Sequence, residues 1–465
     1  MERVPRYDLV IAGGDVVDPG GGHLGRYDVA VHGGRIAAVA PGLARYAAQV
    51  VDGTGGIVTP GLVDLHTHIH PGATYWGIAP DPLAWSSGVT TWVDAGTAGG
   101  YNLNAFRQAA RGFEVRVAGF LNISAIGLTG RTGECEDIDS CDVDLAIASI
   151  SANRDLIIGV KVRMDRHTVG RHGVEPLRRA LTVGRECGVP VMVHVGYGPP
   201  DLGDGLPLLR PGDIITHCAT GVTSGRVQPD PALVAAYHAG VRFDIGHGAG
   251  GFAFDVIEAQ LEAGLTPHTV SSDLHARSVY GPVFDLPTTM TKLLAVGLPL
   301  EKVVAAATVR PAEVLGPAAG WTAGAGALTA GAGTQAGAGT LAVGAPADIA
   351  VFDLVDGEFE VSDAHGQRRT ASRRLVNRAT YLAGRPLPPR LPEPPPPWIP
   401  LTDGQRAALV RRERAVRDLL TTALVAPEDL AEQFPRPPQT GPGHTVAESA
   451  SQPPSGNRGD DEETR

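Results

Sequence analysis

The run Gly61-Leu62-Val63-Asp64-Leu65-His66-Thr67-His68 constrains this chain more than any other stretch. It reads as an apolar β-strand ending in two histidines. Side chains on a strand alternate faces, so His66 and His68 fall on the same side, where two imidazoles suit zinc or a similar ion. A His-x-His in an apolar run is more often a hydrogen-bonded core feature than a metal site. The question is therefore whether later strands end in partners for it.

From 59 to 322 the chain alternates strand-like and helix-like stretches, the pattern of a parallel sheet with helical crossovers. Eight strands are predicted, ending near His66, Asp94, Asn122, Arg163, His194, His217, Asp244 and Asp273, with helices expected at 143–153, 176–186, 231–239 and 254–263. The fifth connection, around 201–209, reads as a loop. Eight such units point to an α/β fold, a (β/α)8 TIM barrel, in which chemistry collects at the C-terminal strand ends. A doubly wound open sheet would want a glycine-rich phosphate loop after its first strand, where this chain has His66-Thr67-His68.

The strand ends carry the functional signal. Ile157-Ile158-Gly159-Val160-Lys161-Val162-Arg163 places a lysine inside a β-branched run, in a chain whose only lysines are Lys161, Lys292 and Lys302. A buried ammonium is costly, and burial drives lysine toward the neutral amine. An ion-paired or snorkelling lysine is the alternative. The fifth and sixth strands end in His194 and His217, the eighth in Asp273. Any one of these is explicable structurally; together they read as a ligand set. His247, amid glycines at the end of the seventh strand, and His275 are substrate-side candidates. Asp94 is read as orienting a ligand histidine or tying down its own loop. His167 and His365, with several others, are read as surface residues.

The flanks have a different texture. Residues 1–58 and 341–388 are short strands cut by glycine turns, and neither segment is large enough to stand alone. They are expected to form one composite β-sandwich domain into which the barrel is inserted. Residues 323–340 read as a flexible Gly/Ala loop, and 389–465 as a proline-rich spacer, an amphipathic helix over 403–424 and a disordered tail. That helix is expected to pack on the barrel or against another subunit of a homo-oligomer. A net charge of -11 excludes a basic nucleic-acid footprint, no apolar run is long enough for a membrane helix, and the N-terminus has no signal-peptide anatomy, so a cytoplasmic location is expected. The four cysteines lack Cys-x-x-Cys spacing and read as reduced packing residues.

Leu62 to His68, with Lys161, His194, His217 and Asp273 following in that order, resembles the amidohydrolase superfamily. Gly88 to Gly96, Asp244 to Gly248, Ser272 to His275 and Thr288 to Leu294 resemble its deacetylase subgroup catalogued beside dihydroorotases. The resemblance implies two zinc ions. His66, His68, Asp273 and an N6-carboxylated Lys161 would hold one; Lys161, His194 and His217 would hold the other. Such a centre lowers the pKa of a bridging water, with Asp273 as proton shuttle, and so hydrolyses an amide or ester. Dihydroorotases follow His-x-His with x-Arg, an arginine that grips the substrate carboxylate, and here that position is His70. Arg163, on the same strand face as Lys161, is the alternative carboxylate partner. The expected substrate is a small acetylated hydroxy acid or N-acetyl amino acid. A cyclic-amide hydrolase of dihydroorotase or hydantoinase type, and an inactive scaffold, are the competing readings.

Overall fold

In the computed structural model of this chain, residues 5–222, 227–316, 322–323 and 337–424 are described. Five strands open it: β1 (Tyr7–Asp18), β2 (His23–His32), β3 (Arg35–Ala40), β4 (Ala47–Asp52) and β5 (Ile57–Pro60). Seven parallel strands follow: β6 (Leu62–Thr67), β7 (Val89–Ala95), β8 (Arg116–Asn122), β9 (Ile157–Met164), β10 (Val191–Val195), β11 (Ile214–Thr216) and β12 (Arg242–Asp244). After the short β13 (Thr322–Ala323), which pairs with β8, come β14 (Ile349–Ser362), β15 (Arg368–Leu382) and β16 (Arg385–Pro386).

The two ends of the chain share one sheet, in the order β16-β15-β14-β5-β1-β2-β3 with β4 beside β1. The strands of both chain ends hydrogen-bond as one continuous eight-stranded surface, the composite domain expected of the flanks. A bulge in β1 between Ile11 and Gly14 is the reason. It lets the first half of the strand pair with β4 and the second with β5, so one strand serves both parts. Leu9, Val29, Ile36, Val58, Ile349 and Tyr381 then share one buried cluster. Arg116 of β8 forks the Asp348 carboxylate and ties this sheet to the parallel one.

β6 to β12 are almost fully buried on both faces, as strands covered by helices must be. The helices form at Val143–Ala152, Glu175–Cys187, Pro231–His238 and Phe254–Glu262, within a residue or so of expectation. The eighth strand does not form a ladder. Residues 269–274 fill its place: Asp244 pairs with Thr269 and Thr67 with Leu274, the carbonyls of Thr269, Ser271 and Ser272 accept from Ile245, His247 and Gly248, and Asp273 N donates to His66 O. Ser272 gives its backbone N–H to the Asp64 carboxylate (2.9 Å) instead of a strand carbonyl, and Asp273 turns into the left-handed region at φ 48°.

The C-terminal helix spans Asp403–Leu424 as expected. The chain divides into two compact units at 417/418, later than the boundary expected at 388/389. Within the first unit the proline-rich segment is strapped to the barrel. Tyr280 Oη donates to Glu393 O (3.2 Å), Trp398 Nε1 to Tyr75 O (3.1 Å), and Gln405 Nε2 to Gly281 O (3.1 Å), while Ile399, Leu401 and Val416 are buried. Most of the Gly/Ala loop and the terminal tail lie outside the described residues. Among the described residues no helix is long and apolar enough to cross a membrane. All four cysteines are free and buried.

Candidate active site

At the C-terminal ends of the parallel strands, His66, His68, Lys161, His194, His217 and Asp273 line one cavity of about 710 Å³. His66 Nε2 and His68 Nε2 lie 3.3 and 3.1 Å from the same oxygen, Asp273 Oδ1, and these three residues offer ligand atoms within 4.8 Å of one another. The His217 ring packs against His194 at 4.3 Å and against His66 at 5.1 Å between centroids. Lys161 Nζ sits 3.2 Å from His66 Nε2 and 3.5 Å from Met192 Sδ. The lysine stem fills the space beside Gly96, which no side chain could share with it.

Hydrogen bonding fixes the protonation of this cluster. Thr216 Oγ1 donates to Asp244 Oδ2 (2.7 Å), so it can only accept from His66 Nδ1, also at 2.7 Å. His217 Nδ1 faces the carbonyl of Gly246 at 2.5 Å, which likewise demands a proton there. Both histidines are neutral, because burial holds their pKa values down, that of His217 to about 4. Their Nε2 atoms therefore carry lone pairs. His217 Nε2 and Asp273 Oδ1 are buried without a hydrogen-bond partner, and His66 Nε2 sets its lone pair against a carboxylate oxygen. Two acceptors at 3.3 Å repel unless a cation lies between them, so the donor set fits a divalent metal. Lys161 has no carboxylate partner among the described residues, and burial lowers its pKa to about 7. The neutral amine, the form that adds CO2, is thus accessible near neutrality.

The surrounding shell is built from residues that sequence reading largely passed over. His68 Nδ1 contacts Thr97 Oγ1 at 2.8 Å; the Asp94 carboxylate receives the N–H groups of Thr97 (2.6 Å) and Ile69 (2.9 Å). Asp94 thus ties down the backbone of its own loop and of the segment after His68, next to the Thr97 hydroxyl that meets His68. Asp244 collects the hydroxyls of Thr216, Thr269 and Ser271, each at 2.7 Å. The threonines gave no signal in the sequence, since their partners are distant along the chain. His217 and Asp273 both adopt positive φ, at 65° and 48°, a strained conformation that persists where surroundings impose it. Gly251 and Gly248 make room for it, because a Cβ at either would collide with His217 Nδ1 or Asp273 Oδ2.

Other expectations need correction. His247 lies off the cavity. Fully buried, it stacks on Phe252 at 4.8 Å between centroids and meets Lys292 Nζ at 2.8 Å, so it is not placed to touch substrate. Arg163 does line the cavity, yet its Nε and Nη2 are forked onto Glu134 at 2.5 and 2.6 Å, which compensates its charge. His275 lines the cavity too. Its Nδ1 accepts the N–H groups of Arg277 (3.2 Å) and Ser278 (3.3 Å), and Trp76 packs edge-on at 4.8 Å. His167 and His365, taken as surface residues, are exposed as expected and also stand on the cavity wall. His70 is buried against Phe106 and faces no part of the cavity.

Comparison with known proteins fits this geometry. Residues 57–203 match the amidohydrolase family model. A protein named deacetylase from Brucella anthropi is 38% identical over 68% of this chain and 76% of its own length. The chain belongs to the amidohydrolase family. Among solved structures this amidohydrolase is similar to a dihydroorotase (35% identity, TM-score 0.73, 82% of this chain and 98% of the other). It is also similar to an adenine deaminase (31% identity, TM-score 0.71, 82% and 99%). It is a hydrolase of the amide- and ester-cleaving kind.

Because Thr216 locks the tautomer of His66, Thr216→Val is expected to weaken metal binding by roughly 10- to 100-fold, the usual cost of losing a group that orients a ligand histidine. Thr216→Ser should retain most of the affinity. Zinc retention against a chelator series measures this directly.

Proposed function

We propose that this amidohydrolase deacetylates small carboxylate-bearing esters or amides, acetylated hydroxy acids or N-acetyl amino acids, with two zinc ions at the cluster. His66, His68 and Asp273 would hold one ion, His194 and His217 the other, and an N6-carboxylated Lys161 would be shared between them. The observation that carries the reading is the set of inward lone pairs, with His217 Nε2 and Asp273 Oδ1 buried and unpartnered. When bound, divalent cations would supply a water acidic enough to ionise near neutral pH and a Lewis acid for the acyl carbonyl.

The protein's own groups account for the rest. Asp273 Oδ1 lies against the Nε2 atoms of His66 and His68 while the carboxylate stays partly open to the cavity, where it can take a proton from the attacking water and return it to the leaving group. His275, with Nδ1 occupied by backbone N–H groups and its pKa lowered by burial to about 4, is a neutral Nε2–H donor on the cavity wall. Arg131 and Arg163 form a cationic stretch of that wall. Glu134 offsets Arg163, so Arg131 supplies the unbalanced charge for a substrate carboxylate, with Arg163 holding its carbonyl at 3.5 Å. Trp76 Nε1 donates to the same carbonyl at 3.2 Å and closes the wall.

The similarity to a dihydroorotase favours a second reading, cyclic-amide hydrolysis. Against it stands His70, which fills the position of the carboxylate-gripping arginine and is turned into the core. A panel of acetylated hydroxy and amino acids, both enantiomers of each, assayed beside dihydroorotate and hydantoins on protein of measured zinc content, tests the proposal. Close to two zinc per chain and preferred cleavage of an acetyl compound are expected. Efficient turnover of dihydroorotate with no acetyl compound accepted would overturn the deacetylase reading, and an intact fold without zinc affinity would overturn the metal centre.

A further inference from the structure

Part of the cavity wall belongs to the outer sheet and not to the barrel. Ala364 and His365, at the tip of the β14–β15 hairpin, line the same cavity as the six cluster residues. Hairpin tips are ordinarily the freest part of a sheet. This one is pinned. Asp363, 2% exposed, accepts from the backbone N–H of Phe254 (3.0 Å) where the helix Phe254–Glu262 begins. Its other oxygen accepts from His365 N (2.8 Å) and Gln367 N (2.9 Å). Ala364 N donates to Phe252 O at 3.1 Å. Just past the tip, Arg369 forks both oxygens of Glu258 on the same helix at 2.7 Å each.

One buried carboxylate therefore sets the turn that carries His365 and docks that turn on the barrel. The imidazole lies over the loop that follows His217. A Cβ at Gly221 would stand 3.2 Å from His365 Nε2, and Thr220 and Val222 of that loop line the cavity with it. Among the described residues, the neighbouring lining positions of that loop offer backbone, Val222 and the Thr220 hydroxyl. His365 is thus the hydrogen-bonding ring available to a polar group of the substrate away from the scissile carbonyl.

We infer that His365 is a specificity-determining residue contributed by the outer sheet, held over the cavity by Asp363, which hydrogen-bonds the substrate remote from the bond that is cleaved. The inference rests on the cavity being the hydrolytic site, and not on which acyl group is removed. It is tested on the zinc-loaded full chain with whichever compound of the acetylated-acid, hydantoin and dihydroorotate panel the wild type cleaves best. His365→Ala should raise KM about tenfold, the worth of one hydrogen bond, with kcat within about twofold, because remote contacts are made equally in ground and transition states. His365→Gln should recover most of that loss, since the amide still hydrogen-bonds. Asp363→Asn should reproduce the KM rise with unchanged zinc content, which a merely structural defect spreading to the cluster would not leave intact. KM within about twofold of wild type for both His365 variants overturns the inference, as does a fall in kcat at constant KM. Turnover confined to the cyclic amides would retire the deacetylase reading while leaving the His365 comparison decisive on those substrates.

Discussion

Lys161→Ala is expected to abolish hydrolysis, and a short carboxylate such as formate or propionate is expected to restore part of it. The side chain is 1% exposed, with no carboxylate partner among the described residues, and its Nζ faces a histidine lone pair at 3.2 Å. A permanent ammonium there is penalised by burial, the largest influence on its pKa, which is lowered to about 7. If what the site requires is a carbamate shared between two metals, the missing element in the alanine variant is an anion and a ligand, and a small carboxylate has the shape to replace it. Lys161→Arg restores charge but cannot be carboxylated, so it should stay inactive. Zinc content and rate, measured on both variants with and without formate, check this. Near-normal metal and rate in Lys161→Arg would remove the carbamate from the proposal.

Asp273→Asn is expected to separate binding from catalysis. Its Oδ1 lies 3.1 and 3.3 Å from the two histidine Nε2 atoms, and an amide oxygen in that place can still ligate. It cannot accept and return a proton. Each general acid or base step is worth roughly 10²- to 10⁴-fold, and this residue serves in two, so the rate should fall by at least that much while much of the zinc remains. A variant within about tenfold of wild type would place the base elsewhere. Neither nearby histidine is placed for that role: His247 lies behind Phe252 and Lys292, and the Nδ1 lone pair of His275 is taken by the N–H groups of Arg277 and Ser278.

The pattern of strands and helices was legible because burial on both faces demands continuous apolar runs, and amphipathic crossovers demand helical periodicity. Helices such as Glu175–Cys187 and Asp403–Leu424 fell where those patterns placed them. The six cluster residues were legible for a related reason. A polar side chain at the end of such a run has few bland explanations, and a lysine inside one, in a chain that has only three, has fewer still. The eighth strand was less so. Its residues have strand character, but competition from the Asp64 carboxylate for the Ser272 N–H is a long-range effect that no local pattern contains.

Sequence alone determined which residue types stand at the strand ends that line the mouth of the barrel. Period-two alternation and strand order are local properties, and they carry that much. Tertiary structure decided everything that depends on approach between distant segments. It set Glu134 against Arg163 and so compensated the cation that strand alternation had offered to a substrate carboxylate. It drew His247 away from the cavity through Lys292, and it selected Thr216 and Thr97 to orient two histidines. It also brought His365 from a hairpin of the outer sheet to the cavity wall. Hydrogen bonds and ion pairs act over about 3 Å, and residues that far apart in space can be hundreds apart in sequence, so only the folded chain reveals which polar groups meet.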